Sequence, residues 1–222
     1  MSIKILLTVG LMLFISSFPL SAQNVGSLPQ EFYNRITYIP DKHTKPAIVY
    51  SDMDGDKKKE MVVTMQMLPV HGGWFQTFAF VYRTDGKGRP KTLLKTIHLG
   101  DLLGTKTGND DQEKVINVVD LNNDGKKAVA LWSTIGMHYS KLIIIGMKNG
   151  RVIQLFNGGS DDEVIYEPRK NKNIITAGDR DWYPPYNNTD RWRKDVWEWN
   201  GVKFVYSKKK SSVTVLKNEV SQ

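Results

Sequence analysis

Short apolar runs alternate with polar positions along most of this chain, and Gly, Asn or Asp interrupts them every few residues. Segments 36–39, 47–50, 61–67, 75–82, 92–99 and 115–119 have the two-residue period and β-branched or aromatic content of strands. Segments 128–132, 139–146, 152–156, 164–166, 174–177, 196–199 and 203–206 continue the series. A 3.6-residue period is nearly absent after the first residues. The best helical candidate is short, around Asp101-Leu102-Leu103. The pattern predicts an all-β chain.

The runs group into three units, about 45–100, 113–158 and 163–207, each reading strand, loop, strand, loop, hairpin. The hairpins are marked by Thr84-Asp85-Gly86, Lys148-Asn149-Gly150 and Trp199-Asn200-Gly201, because Asn-Gly and Asp-Gly populate tight turns with φ > 0. Residues 211–222 are polar and read as a flexible tail. The expected architecture is a propeller-like array of about three to four antiparallel four-stranded units. It is either open or closed by a fourth irregular unit built around Ile36.

The first loop of unit one is Asp52-Met53-Asp54-Gly55-Asp56-Lys57-Lys58-Lys59-Glu60. Carboxylates at its first, third, fifth and ninth positions can converge on one point, which is unfavourable unless a cation sits among them. Hard Ca²⁺ takes several oxygen ligands at once, and Gly55 supplies the turn that gathers them. The expected ligands are Asp52, Asp54, Asp56, Glu60 and the Lys58 carbonyl. An EF-hand is excluded, because Val63 stands where its twelfth-position Glu belongs and the flanks read as strand. A second copy, Asp120-Leu121-Asn122-Asn123-Asp124-Gly125-Lys126-Lys127-Ala128, aligns Asp120, Asn122 and Asp124 with Asp52, Asp54 and Asp56. Ala128 replaces the acid, so this is the weaker site. The third unit has lost the motif, and Asp161-Asp162-Glu163 reads as ordinary surface acid.

With these two loops, each between apolar strands, residues 45–207 resemble the FG-GAP/VCBS repeats of extracellular β-propeller proteins, including the integrin α-subunit propeller. The resemblance implies blades that carry a DxDGDxxxE Ca²⁺ loop followed by a hydrophobic strand. Only the first loop has the full pattern.

Residues 1–22 read as a signal peptide: Lys4 is the charged segment, residues 5–14 the apolar core, and Leu20-Ser21-Ala22 the small-residue exit. Export to a bacterial periplasm or exterior is the expected location, with no transmembrane segment after signal removal, because the run is short for a membrane span. The absence of Cys removes any disulfide framework. The remaining 23–210 read as a single β domain with one core. The chain carries a formal charge of +8, and Lys57-Lys58-Lys59 and Lys208-Lys209-Lys210 supply much of the excess. No nucleic-acid module accompanies that charge, so no specific nucleic acid is expected as partner.

In a meander the metal loop and the hairpin share one end of each unit, and the remaining loop lies at the other. Those other loops hold His71 and Trp74, then His138 and Tyr139, then Trp182, Tyr183 and Tyr186 running on to Trp192. Clustered aromatics with a few polar neighbours suit a glycan or protein ligand. The leading expectation is an exported, non-catalytic, Ca²⁺-stabilised binding or scaffold module. A secreted hydrolase would draw on His71, His138, Asp179 and Asp181, yet no GxSxG, HExxH or Cys nucleophile supports it. A third expectation is a subunit of an envelope assembly, with a partner protein completing the sheet array.

Overall fold

Alternation along each strand decides what the chain buries. Val62 and Thr64 point to one side of their strand and Met61, Val63 and Met65 to the other, and all five are buried. The computed structural model describes residues 47–67, 76–100, 102–103, 116–135, 139–161, 163–168, 173–180 and 191–215. It is all-β, with three antiparallel sheets and no helix among these residues. No helix there is long and apolar enough to cross a membrane.

Sheet I contains β1 (Ala47–Ser51), β2 (Glu60–Met67), β3 (Gln76–Thr84) and β4 (Pro90–Gly100), in that order. Sheet II contains β5 (Leu102–Leu103), β6 (Ile116–Val119), β7 (Ala128–Ile135), β8 (Tyr139–Lys148) and β9 (Arg151–Ser160). Sheet III contains β10 (Glu163–Glu167), β11 (Ile174–Arg180), β12 (Arg191–Trp199), β13 (Phe204–Tyr206) and β14 (Ser212–Val215). The two five-stranded sheets keep the width of the first. β6 pairs with residues 128–131 of β7 and β5 with residues 133–134, while β8 holds the other edge. The short strands therefore lie end to end in one position. β13 and β14 share the edge of β12 in the same manner.

Sheet II is the middle layer. Val129, Leu131, Ile143 and Ile145 pack with Val62, Ala79, Val81, Ile97 and Leu99 of sheet I. Ala128, Ala130, Trp132, Leu142, Ile144 and Phe156 pack with Val164, Ile175, Ala177, Trp199 and Phe204 of sheet III. Both faces of β8 are thus inside, which is why Leu142-Ile143-Ile144-Ile145 is a continuous apolar run rather than an alternating one. Among the described residues no hydrophobic cluster joins sheet III back to sheet I. Among the described residues the array is open and propeller-like, with no closed barrel.

Several elements differ from the sequence expectation. The short helix expected around Asp101-Leu102-Leu103 is instead β5, whose Leu102 and Leu103 complete the edge of β7 opposite Thr134 and Ser133. Two apolar residues carry no period, so edge pairing decides. Within the polar tail expected over 211–222, Ser212-Val213-Thr214-Val215 forms β14, as its β-branched residues favour. β9 runs through Gly158 and Gly159 to Ser160, past the expected end at Phe156. The rings of Phe156 and Tyr139 cover those two glycines, the packing that lets a sheet tolerate residues without side chains. The hairpin at Asn149-Gly150 has φ of 52° and 71°, the expected two-residue turn. The turn after Thr84 is longer: Asp85 accepts from Gly88 N–H, and the positive φ falls on Gly88 rather than Gly86. The expected strand at 36–39, the signal segment and the last residues, 216–222, lie outside the described residues.

Candidate metal centre

The first acidic loop leaves β1 at Ser51 and enters β2 at Glu60, and these two residues pair across the ladder, closing the loop at its base. Inside it, Asp52 organises the turn: Oδ1 accepts Gly55 N–H at 2.8 Å and Oδ2 accepts Lys57 N–H at 3.0 Å. These bonds require the chain to reverse, which puts Gly55 at φ 81° and Lys57 at φ 69°. Asp54 Oδ1 accepts Asp56 N–H at 3.2 Å, and Asp56 Oδ1 accepts Lys58 N–H at 2.7 Å.

Carboxylate oxygens of Asp52, Asp54 and Glu60 lie within 4.8 Å of one another. Two oxygens on one Ca²⁺, each about 2.3–2.6 Å from it, can stand no further apart than about 5 Å, so the three groups fit a shared ion. Glu60 is only 2% exposed, and its Oε2 accepts Met53 N–H at 3.0 Å. Burial pushes its carboxyl above the ordinary range; the Met53 N–H opposes this, and the charges of Asp54 and Asp56 add to it. Asp56 stands outside the convergent group and is exposed, as is Lys58. The Arg83 guanidinium approaches Asp54 Oδ2 to 3.8 Å from the rim.

The second loop has the same backbone. Asn123 and Gly125 have φ of 56° and 86° at its fourth and sixth positions, where the first loop has Gly55 and Lys57. Gly125 N–H donates to Asp120 Oδ2 at 3.2 Å and Lys126 N–H to Asp124 Oδ1 at 3.0 Å, matching two bonds of the first loop. Its side chains are committed differently. Asn122 Oδ1 accepts the Trp199 indole N–H at 2.7 Å, and Lys127 Nζ sits 2.8 Å from Asp120 Oδ2. Burial raises the Asp120 carboxyl, but the Lys127 ammonium and the Gly125 N–H outweigh it and hold the group below its ordinary value. Asp124 is exposed, and Ala128, in the place of Glu60, is buried with no oxygen to offer.

The loops sit side by side. Lys127 N–H donates to Asp52 C=O at 2.9 Å, and a Cβ on Gly55 would lie 3.0 Å from the Lys126 side chain, so the close approach itself favours glycine. Asn173 of sheet III donates in turn to Leu121 C=O at 2.9 Å, and its Oδ1 accepts the Tyr166 hydroxyl. Sequence reasoning passed over the second loop position. Met53 is 2% exposed and belongs to the core between sheets I and II; Leu121 is 6% exposed and belongs to the core between sheets II and III. Each loop is pinned to the next interface by an apolar residue set among acids, and that pattern is visible in both copies. Beside the second loop lies a cleft of about 270 Å³ lined by Leu121, Lys126, Leu155, Trp199 and Val202, just below the size of common ligand pockets.

Of the expected aromatic face, His71, Trp74, His138, Trp182, Tyr183 and Tyr186 lie outside the described residues, as does Asp181. Tyr139 and Trp192 are described, and both are half-buried. Tyr139 covers Gly159 on the face of sheet II toward sheet I, whereas Trp192 covers Gly178 on the face of sheet III away from sheet II. The two rings therefore lie on different faces of different sheets. Asp179, named for a hydrolytic reading, faces the Arg193 guanidinium at 3.8 Å. Comparison with protein families, curated proteins and solved structures returned no match.

Proposed function

We propose that the chain is an exported, non-catalytic binding or scaffold module of the FG-GAP/VCBS kind, stabilised by Ca²⁺ in its first acidic loop. The observation that carries the reading is the convergence of Asp52, Asp54 and the buried Glu60 within 4.8 Å. Three like charges at that spacing repel unless a cation offsets them, and a hard divalent ion supplies that charge. Asp52, Asp54 and Glu60 would hold it directly, with Asp56 and the Lys58 carbonyl as the further oxygens named by the sequence. The ion stabilises the native state by binding it alone. It ties the β1–β2 connection to the interface through Met53. The repeated strand–loop–strand order, with matching backbone in both loops, supports the repeat assignment. Residues 1–22 support export to the periplasm or exterior.

Calorimetric titration of the chelator-treated chain with Ca²⁺ tests this. One equivalent is expected. Binding requires the Glu60 carboxylate, which burial disfavours, so it releases protons and weakens as pH falls toward the raised value. No uptake at millimolar Ca²⁺ would remove the reading.

Recognition of a glycan or protein partner is assigned to the opposite end of the sheets. There the chain leaves β2, β7 and β11 and re-enters at β3, β8 and β12, all three at the end remote from the acidic loops. A glycan array probed with the labelled mature chain, in Ca²⁺, should show retention by a restricted sugar class. Uniform absence of retention leaves the scaffold role ahead of the glycan-binding one.

A further inference from the structure

We infer that the Lys127 ammonium is the resident cation of the second acidic loop, so that this loop is a permanent joint that needs no metal. The inference rests on the Ca²⁺ reading of the first loop. Two side-chain-to-backbone bonds are common to the two loops, and their chemistry separates at the third, eighth and ninth positions. In the first loop, exposed Lys59 is followed by buried Glu60, whose carboxylate turns back to the Met53 N–H. In the second, the ninth residue is Ala128, and the eighth, Lys127, turns onto the loop and places Nζ 2.8 Å from Asp120 Oδ2.

Asp120 is the counterpart of Asp52, the residue that gathers the turn. The charge of the second loop has fallen with the change. Asn122 replaces one acid and Ala128 another, leaving Asp120 and Asp124. Asn122 is also committed, since its oxygen accepts the Trp199 indole N–H from sheet III. A single tethered ammonium pairs with Asp120 Oδ2, and being covalently attached it is not lost by dilution or to a chelator. An exposed ion pair of this kind is worth little alone. Here it closes a loop that Trp199 and Asn173 also bond to sheet III, so its loss is felt at that joint.

The two interfaces should then differ in their response to chelation. Removing Ca²⁺ loosens the first loop, while the joint between sheets II and III stays closed. The test uses the full mature chain and two variants, Lys127→Met and Lys127→Met with Ala128→Glu. The parent takes up one equivalent of Ca²⁺. Lys127→Met melts lower by about 2–4 °C, equally in Ca²⁺ and in chelator, and Lys127→Arg, which keeps the charge, recovers most of that loss. The double variant takes up one equivalent more than its parent and melts higher only when Ca²⁺ is present. A parent that binds two equivalents, or a Lys127→Met variant whose melting is unchanged in both buffers, overturns the inference. A folded double variant with no added equivalent also overturns it. Should the parent bind none, the Ca²⁺ reading of the first loop fails. The Lys127→Met and Lys127→Arg melts still decide the role of the lysine.

Discussion

Asp54→Ala is expected to lower the melting temperature by about 5–10 °C in millimolar Ca²⁺ and to leave it unchanged, or slightly raised, in chelator. Asp54 separates the ion from the fold better than its neighbours do. Asp52 accepts two backbone N–H groups, so Asp52→Ala breaks the turn in either buffer. Glu60 is buried and holds the Met53 N–H, so its loss disturbs the interface as well. Asp54 accepts one N–H at 3.2 Å near the surface and meets the half-exposed Arg83 guanidinium only at 3.8 Å, an ion pair worth little by itself, so its main remaining role is charge in the convergent group. Without an ion that charge is a burden, since it adds to the forces pushing the Glu60 carboxyl up. With the ion bound at about a hundred times its dissociation constant, the site contributes about 2.7 kcal/mol. For a chain of this length that corresponds to the stated shift in melting. Thermal melts of parent and variant in both buffers decide the matter; an equal loss in Ca²⁺ and chelator would mean that Asp54 is structural and the ion absent.

What the sequence could disclose divides along physical lines. The acidic loop was legible because its information is local: Asp52, Asp54 and Glu60 lie in one loop and accept N–H groups from Gly55, Asp56 and Met53 of that same loop. The likeness of the two loops was legible for the same reason, and they exchange Gly for another residue at their positive-φ positions. Non-local commitments were not legible. The bond from Trp199 to Asn122 spans 77 residues, and nothing near Asn122 announces that its oxygen is taken. Lys127 was given no role, because a lysine's reach across its own loop depends on what the ninth residue does. The strands were legible wherever one face is buried. They were misjudged where pairing alone decides, as at Leu102-Leu103, or where a ring from the same or the next strand covers a missing side chain, as at Gly158 and Gly159.

The deepest consequence of sheet II lying in the middle is that neighbouring residues of one strand serve different interfaces. Ile143 packs toward sheet I in the same cluster as Met53, and Ile144 packs toward sheet III in the cluster of Leu121 and Trp199. Both are at most 1% exposed, so Ile143→Ala and Ile144→Ala should each cost about 2–5 kcal/mol. That is a large share of a domain stability of about 5–15 kcal/mol. The two losses are similar in size and opposite in direction. Ile143→Ala leaves a cavity in the cluster that holds Met53, whose N–H positions Glu60, so Ca²⁺ affinity falls about tenfold and amides of β2 and β3 exchange faster. Ile144→Ala speeds exchange in β11 and β12 and leaves Ca²⁺ affinity within about twofold of the parent, because its cavity opens on the side of the lysine-held loop. Hydrogen exchange and Ca²⁺ titration on the two variants check this together. If both substitutions weakened Ca²⁺ binding alike, the metal loop would be coupled to the whole stack rather than to the interface that Met53 enters.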